Sequence, residues 1–69
     1  MIGDKAIPEQ PLMMAEFATA QAALDFRASH GGWVFVREDA SNALWFDAAY
    51  YTATAILRHP AAAGNGRLI

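Results

Sequence analysis

The chain contains no cysteine, which removes disulfides as a source of stability and removes the thiolate ligands of the common structural zinc sites. Its two histidines, His30 and His59, lie far apart, and neither has a neighbouring His or carboxylate at metal-ligand spacing. No structural metal is expected. Charge of a single sign is also lacking: five Lys or Arg stand against seven Asp or Glu, a net charge of −2. That balance is too acidic for a general duplex-DNA binder and too even for a polyanion mimic. No stretch approaches the ~18 apolar residues of a membrane span. The start, Met1 to Lys5, has no basic segment followed by an apolar run, so the cytoplasm is the expected location.

What is present suits one small domain of 69 residues. A core of that size contributes about 3–5 kcal/mol net, so without disulfides or metal a second copy or a partner becomes the expected source of extra stability. Hydrophobic residues make up 55% of the chain, which excludes disorder for most of it. Sixteen of them are alanines that bury little area, so the larger side chains carry the core. Six of the eight aromatics fall between Trp33 and Tyr51, which marks the middle third as the heart of the fold.

Residues 1–11 hold Gly3, Pro8 and Pro11 and read as an irregular arm that Ile2 and Ile7 could pin to the body. Leu12 to Phe17 permits a strand, or the start of a helix whose stripe is Met13, Phe17, Ala20, Leu24 and Ala28. Thr19 is a plausible N-cap for a helix that begins at Ala20, and His30-Gly31-Gly32 ends that helix after Ser29. Trp33 to Glu38 and Ala43 to Asp47 read as two strands joined by the turn cluster Asp39 to Asn42. Trp33, Phe35 and Arg37 share one face of the first strand, with Val34, Val36 and Glu38 on the other. A second short helix is expected near Ala53 to Arg58. Asp47 could cap a helix running from Ala48 to Arg58, whereas the strand-like residues Tyr50 to Thr54 argue for a start only after Thr52. Ile56 and Leu57 are expected to point inward, and Pro60 to stop the helix. Residues 60–69 read as a loop with a Gly64-Asn65-Gly66 turn and a short closing strand near Arg67 to Ile69. The expected fold is therefore α+β: a helix packed on an antiparallel hairpin or sheet, with a second short helix toward the C-terminus.

Candidate catalytic groups are few, and each has a simpler structural account. Ser29, His30 and Asp25 come nearest to a nucleophile with its base, but neighbours on a helix point about 100° apart, so Ser29 and His30 are not expected to face each other. Glu38 and Asp39 sit at a hairpin tip open to water, where turn chemistry explains them. Gly64-Asn65-Gly66 lacks the following helix that a phosphate-cradling loop needs. No catalytic, cofactor or metal residue is assigned.

Two surfaces remain. Arg58, His59 and Arg67 with Tyr50 and Tyr51 could hold a single nucleic-acid strand, weakly and with strong salt dependence. The aromatics Trp33, Phe35, Trp45, Phe46, Tyr50 and Tyr51 exceed what one helix of ten residues can cover, so part of the set is expected in an interface. The favoured reading is a non-enzymatic protein-binding module, expected as a homodimer, with Trp33, Phe35, Trp45, Tyr50, Tyr51 and Arg58 as contact candidates. A single-strand nucleic-acid binder and a dimeric structural or regulatory domain are the alternatives. In size, alanine content and lack of cysteine the chain resembles small accessory proteins of phages and mobile elements, among them anti-CRISPR inhibitors. That resemblance implies action by docking on a host protein complex, and it assigns no residues.

Overall fold

A computed structural model describes residues 12–69. The expected irregular arm at 1–11 lies outside the described residues. The chain forms β1 (Met14–Phe17), α1 (Ala20–His30), β2 (Trp33–Arg37), β3 (Ala43–Phe46), α2 (Ala53–Leu57), a 3-10 turn η1 (Pro60–Ala62) and β4 (Gly66–Leu68). All pairings are antiparallel, and the strand order is β1-β3-β2-β4.

Within the ambiguous segment at 12–17, Met14–Phe17 is a strand that pairs with β3, and Thr19 closes off the helical alternative by capping α1. The Thr19 backbone is extended, and its hydroxyl oxygen accepts from the Ala22 amide at 3.2 Å. An extended N-cap cannot lie inside a longer helix, so the stripe from Met13 to Ala28 is broken there. At the other end Gly31 takes φ +72°, and its amide donates to the Arg27 carbonyl. Arg27 and His30 occupy the last turn, where the helix dipole favours cations.

Strands β1 and β2 are both antiparallel to β3, which lies between them, so they run parallel to each other and need a crossover. Helix α1 supplies it. Likewise β3 and β4 run parallel with β2 between them, and the segment through α2 and η1 connects them. Both connections step the same way across the sheet, from strands that point in opposite directions. Right-handed crossovers then fall on opposite faces, and opposite faces are where the two coverings lie.

On the α1 face, Val34, Ala43 and Trp45 are buried with Ala23, flanked by Ala15, Phe17, Leu24, Phe26 and Val36. On the other face, Phe35, Leu44 and Phe46 are buried with Ile56 and Ala62, flanked by Met14, Trp33, Tyr51, Ala61 and Leu68. The expectation that the hairpin aromatics outnumber their cover is therefore corrected. One helix cannot cover both faces, and the C-terminal third covers the second. Arg37 fastens that layer: its guanidinium donates to the carbonyls of Ala61 at 2.5 Å and Ala63 at 3.1 Å.

Helix α2 starts at Thr52, whose hydroxyl accepts from the Ala55 amide at 3.1 Å. Asp47 is not its cap. The Asp47 carboxylate accepts from the Ala49 amide at 2.8 Å, and its carbonyl accepts from the amides of Tyr50 and Tyr51, so it closes the turn after β3. The helix ends at Leu57, with Arg58 as C-cap. Ile56 is buried as expected, but Leu57 is 58% exposed. The inward assignment of Leu57 was wrong because neighbours on a helix point about 100° apart, and this five-residue helix buries a single position. Pro60 ends α2 and opens η1, where its missing amide hydrogen costs nothing. The closing strand lies one residue earlier than expected, at Gly66–Leu68, and Ile69 continues it by exchanging two backbone hydrogen bonds with Val34.

Candidate binding surface

The six residues expected to meet a partner separate into three environments. Phe35 and Trp45 are each 2% exposed. Trp45 stands edge-on to Phe26, with ring centroids 4.8 Å apart, and its indole N–H donates to the Gly31 carbonyl at 2.6 Å. That bond satisfies the polar atom of a buried indole. Gly32 is adapted to the same indole, since a Cβ there would meet the Phe46 carbonyl and, at 2.8 Å, the Trp45 Nε1. Phe35 and Trp45 are thus core, and neither can touch a partner while the domain is folded. Trp33 and Tyr51 are half-buried against the second-face cluster. Tyr51 packs edge-on against Phe46 at 5.1 Å and His59 at 5.7 Å. His59 is held in turn, because its Nδ1 accepts from the Ala61 amide at 3.0 Å.

Tyr50 and Arg58 are exposed, Tyr50 by 48%. Both belong to the segment that closes the second face, and Leu57 joins them there. The Tyr51 and His59 rings meet across this segment, while Tyr50, Leu57 and Arg58 remain exposed on it. Sequence reasoning missed Leu57. The signal that could have found it is the roughly 100° step between neighbours on a helix, which carries Leu57 off the face that buries Ile56.

The patch assembled in sequence from Arg58, His59, Arg67, Tyr50 and Tyr51 is divided by the fold. Arg67 lies opposite Val36 and so projects on the α1 face, whereas Arg58, His59 and both tyrosines belong to the covering of the other face. Tyr51 and His59 have their rings engaged in packing. A base-stacking platform with two cations beside it is not assembled.

Ser29 and His30 do meet, contrary to expectation, with Oγ and Nδ1 2.9 Å apart. The reason is the helix end: both groups lie within reach of one carbonyl, that of Phe26, at 3.2 and 3.0 Å. The His30 ring stacks on the Phe26 ring, with centroids 3.8 Å apart and planes 6° from parallel. Asp25 is engaged with Gln21 Nε2 at 2.9 Å and does not orient the imidazole. The group gathers on one carbonyl of the last helical turn and lacks the third member that would activate a nucleophile. Glu38 and Asp39 are exposed at the tip of the β2–β3 connection. Among the described residues there is no pocket, no group of three or more His, Cys, Asp or Glu that could hold a metal ion, and no helix long and apolar enough to cross a membrane.

No protein-family model, curated protein or solved structure matches this chain. The surface is described by its own chemistry: an exposed tyrosine, leucine and arginine within residues 50–58.

Proposed function

We propose that the chain is a non-enzymatic protein-binding module that docks through the outer side of residues 47–58. The observation that carries this reading is the exposure of Tyr50, Leu57 and Arg58 on the segment from which Ile56 and Tyr51 pack into the second-face cluster. Tyr and Arg are the residue types that dominate binding energy at protein interfaces, and a neighbouring leucine supplies apolar area. A small accessory inhibitor of the phage or mobile-element kind, acting by occupying a surface of a host complex, is the class this reading favours.

The test is affinity capture from a bacterial lysate with the wild-type chain and with Tyr50→Ala, Leu57→Asp and Arg67→Gln. The reading expects one protein to be retained by wild type and by Arg67→Gln, and lost with Tyr50→Ala and Leu57→Asp while their unfolding midpoints stay near wild type. Retention by all four proteins would refute this surface. Recovery of single-stranded nucleic acid alone, released by moderate salt, would favour the alternative.

A further inference from the structure

The sheet has two edges, β1 and β4, and they differ in how they are protected. The backbone pattern shows which groups each edge presents. Ile69 exchanges both hydrogen bonds with Val34, and Asn65 accepts from the Glu38 amide. The intervening Gly66 and Leu68 therefore turn their N–H and C=O groups outward. On β1 the Met13 carbonyl accepts from the Asp47 amide, so the residues facing β3 are Met13, Ala15 and Phe17. Met14 and Glu16 direct their backbone groups to the open side.

Edge strands are normally guarded by shortness, a charged residue, proline or a bulge. β4 is three residues long and carries Arg67. β1 is four residues long and less guarded: residues 12–17 read Leu-Met-Met-Ala-Glu-Phe, without proline, lysine or arginine. Its single charge is tied back to the sheet, with Glu16 Oε2 accepting from Asn42 Nδ2 at 2.6 Å. Leu12 and Met13, 53% and 39% exposed, stand at the head of this strand. Among the described residues nothing pairs with its outer side.

We infer that β1 is the site at which a second copy of this chain adds, strand to strand, to continue the sheet antiparallel across a two-fold axis. The sequence of the strand is self-complementary in one register. An axis through Ala15 sets Met14 opposite Glu16 of the second copy, and their outward N–H and C=O groups bond to each other. The same axis sets Phe17 opposite Met13 of the second copy in a non-hydrogen-bonded pair, where side chains approach most closely. A thioether on an aromatic ring is a favourable contact. Moving the axis to Glu16 opposes two carboxylates, and moving it to Met14 carries Phe17 beyond Leu12, where the apolar run ends. The axis is perpendicular to the sheet, so both copies of α1 fall on one side and both 47–58 layers on the other. This site is separate from Tyr50, Leu57 and Arg58 and does not depend on the proposal made for them.

Sedimentation velocity from micromolar to millimolar concentration, paired with amide hydrogen exchange read residue by residue on the full chain, tests the inference. The dimer is expected to form with concentration, and protection of the Met14 and Glu16 amides to rise with it, while the Gly66 and Leu68 amides stay fast. Glu16→Pro removes an outward backbone donor and the side-chain bond to Asn42, the latter weakened in Glu16→Gln as a control, and leaves the inward backbone bonds of β1, which belong to its neighbours. It should yield a folded monomer, whereas Glu16→Gln still dimerises. Met13→Lys, which alters an exposed side chain, should weaken the dimer by about tenfold or more. Three outcomes would overturn the inference: a chain monomeric at millimolar concentration, a dimer whose Met14 and Glu16 amides exchange freely, or protection of those amides that is independent of concentration. The last would mean that a strand of the same chain occupies the edge.

Discussion

Replacing Ile56 by alanine should cost a large part of the stability of this protein, and replacing its neighbour Leu57 should cost almost none. Ile56 is fully buried among Phe35, Leu44, Phe46 and Ala62 and is the only buried residue of α2. A helix of five residues has no stability of its own, so its position depends on that side chain. Truncation of a buried isoleucine to alanine costs about 2–5 kcal/mol, through lost transfer energy and the cavity left behind. A chain of this length has about 3–10 kcal/mol in total at the usual stability per residue. Ile56→Ala should therefore lower the thermal midpoint by roughly 8–40 °C, at the usual shift of about 4–8 °C per kcal/mol for a small domain. Leu57→Ala should stay within about 0.5 kcal/mol of wild type, as exposed substitutions do. Urea unfolding followed by far-UV circular dichroism measures both, provided protein concentration is held fixed. Equal losses for the two variants would refute the orientation of α2. A loss for Leu57→Ala that grew with protein concentration would place that residue in a contact between copies.

Three further outcomes follow from the same packing. Gly32→Ala should destabilise by more than about 1–2 kcal/mol, since its φ is +92° and its Cβ would meet both the Phe46 carbonyl and the Trp45 indole; Gly31→Ala, with φ +72° and open space, should cost less, and thermal unfolding of the pair checks the order. Arg37→Met keeps an apolar stem but loses the hydrogen bonds to Ala61 and Ala63, so it should cost about 1–2 kcal/mol and speed exchange of the Ala62 and Ala63 amides. Trp45→Phe leaves the Gly31 carbonyl without its indole partner and should cost about 1–3 kcal/mol by chemical denaturation, of which restoring the ring volume cannot recover the hydrogen-bond part.

Much of the sheet could be read in the sequence because its signals are local. The β-branched and aromatic runs, the turn cluster from Asp39 to Asn42, the Thr19 cap and the glycines after His30 each act within a few residues. The signals that failed are those decided at a distance. Whether 12–17 was strand or helix depended on pairing with β3, about thirty residues away in sequence. The cover of the second sheet face was invisible for the same reason: residues 51–62 are alanine-rich and have only Ile56, Tyr51 and His59 to place them, and the bonds from Arg37 cross a long sequence interval. An aromatic surplus was inferred from one helix when the fold supplies two layers. That error carried into the contact candidates, of which Phe35 and Trp45 belong to the core. Tyr50 and Arg58 keep their place on the surface, while Leu57 had been assigned to the interior. The meeting of Ser29 with His30 was lost by a different route, because side chains at a helix end bend toward a shared carbonyl instead of following the ideal spacing.

The account rests on the claim that one chain closes both faces of its own sheet and so leaves binding to its edge and its outer layer. A nuclear Overhauser experiment on a mixture of isotope-labelled and unlabelled protein tests that claim directly. Within single chains it should show Phe26 against Trp45 on one face, and Phe46 against Tyr51 and His59 on the other. If these same pairs appeared only between labelled and unlabelled copies, or if Phe46 showed no contact with residues 51–59, the second face would be closed by a partner and the account would be contradicted.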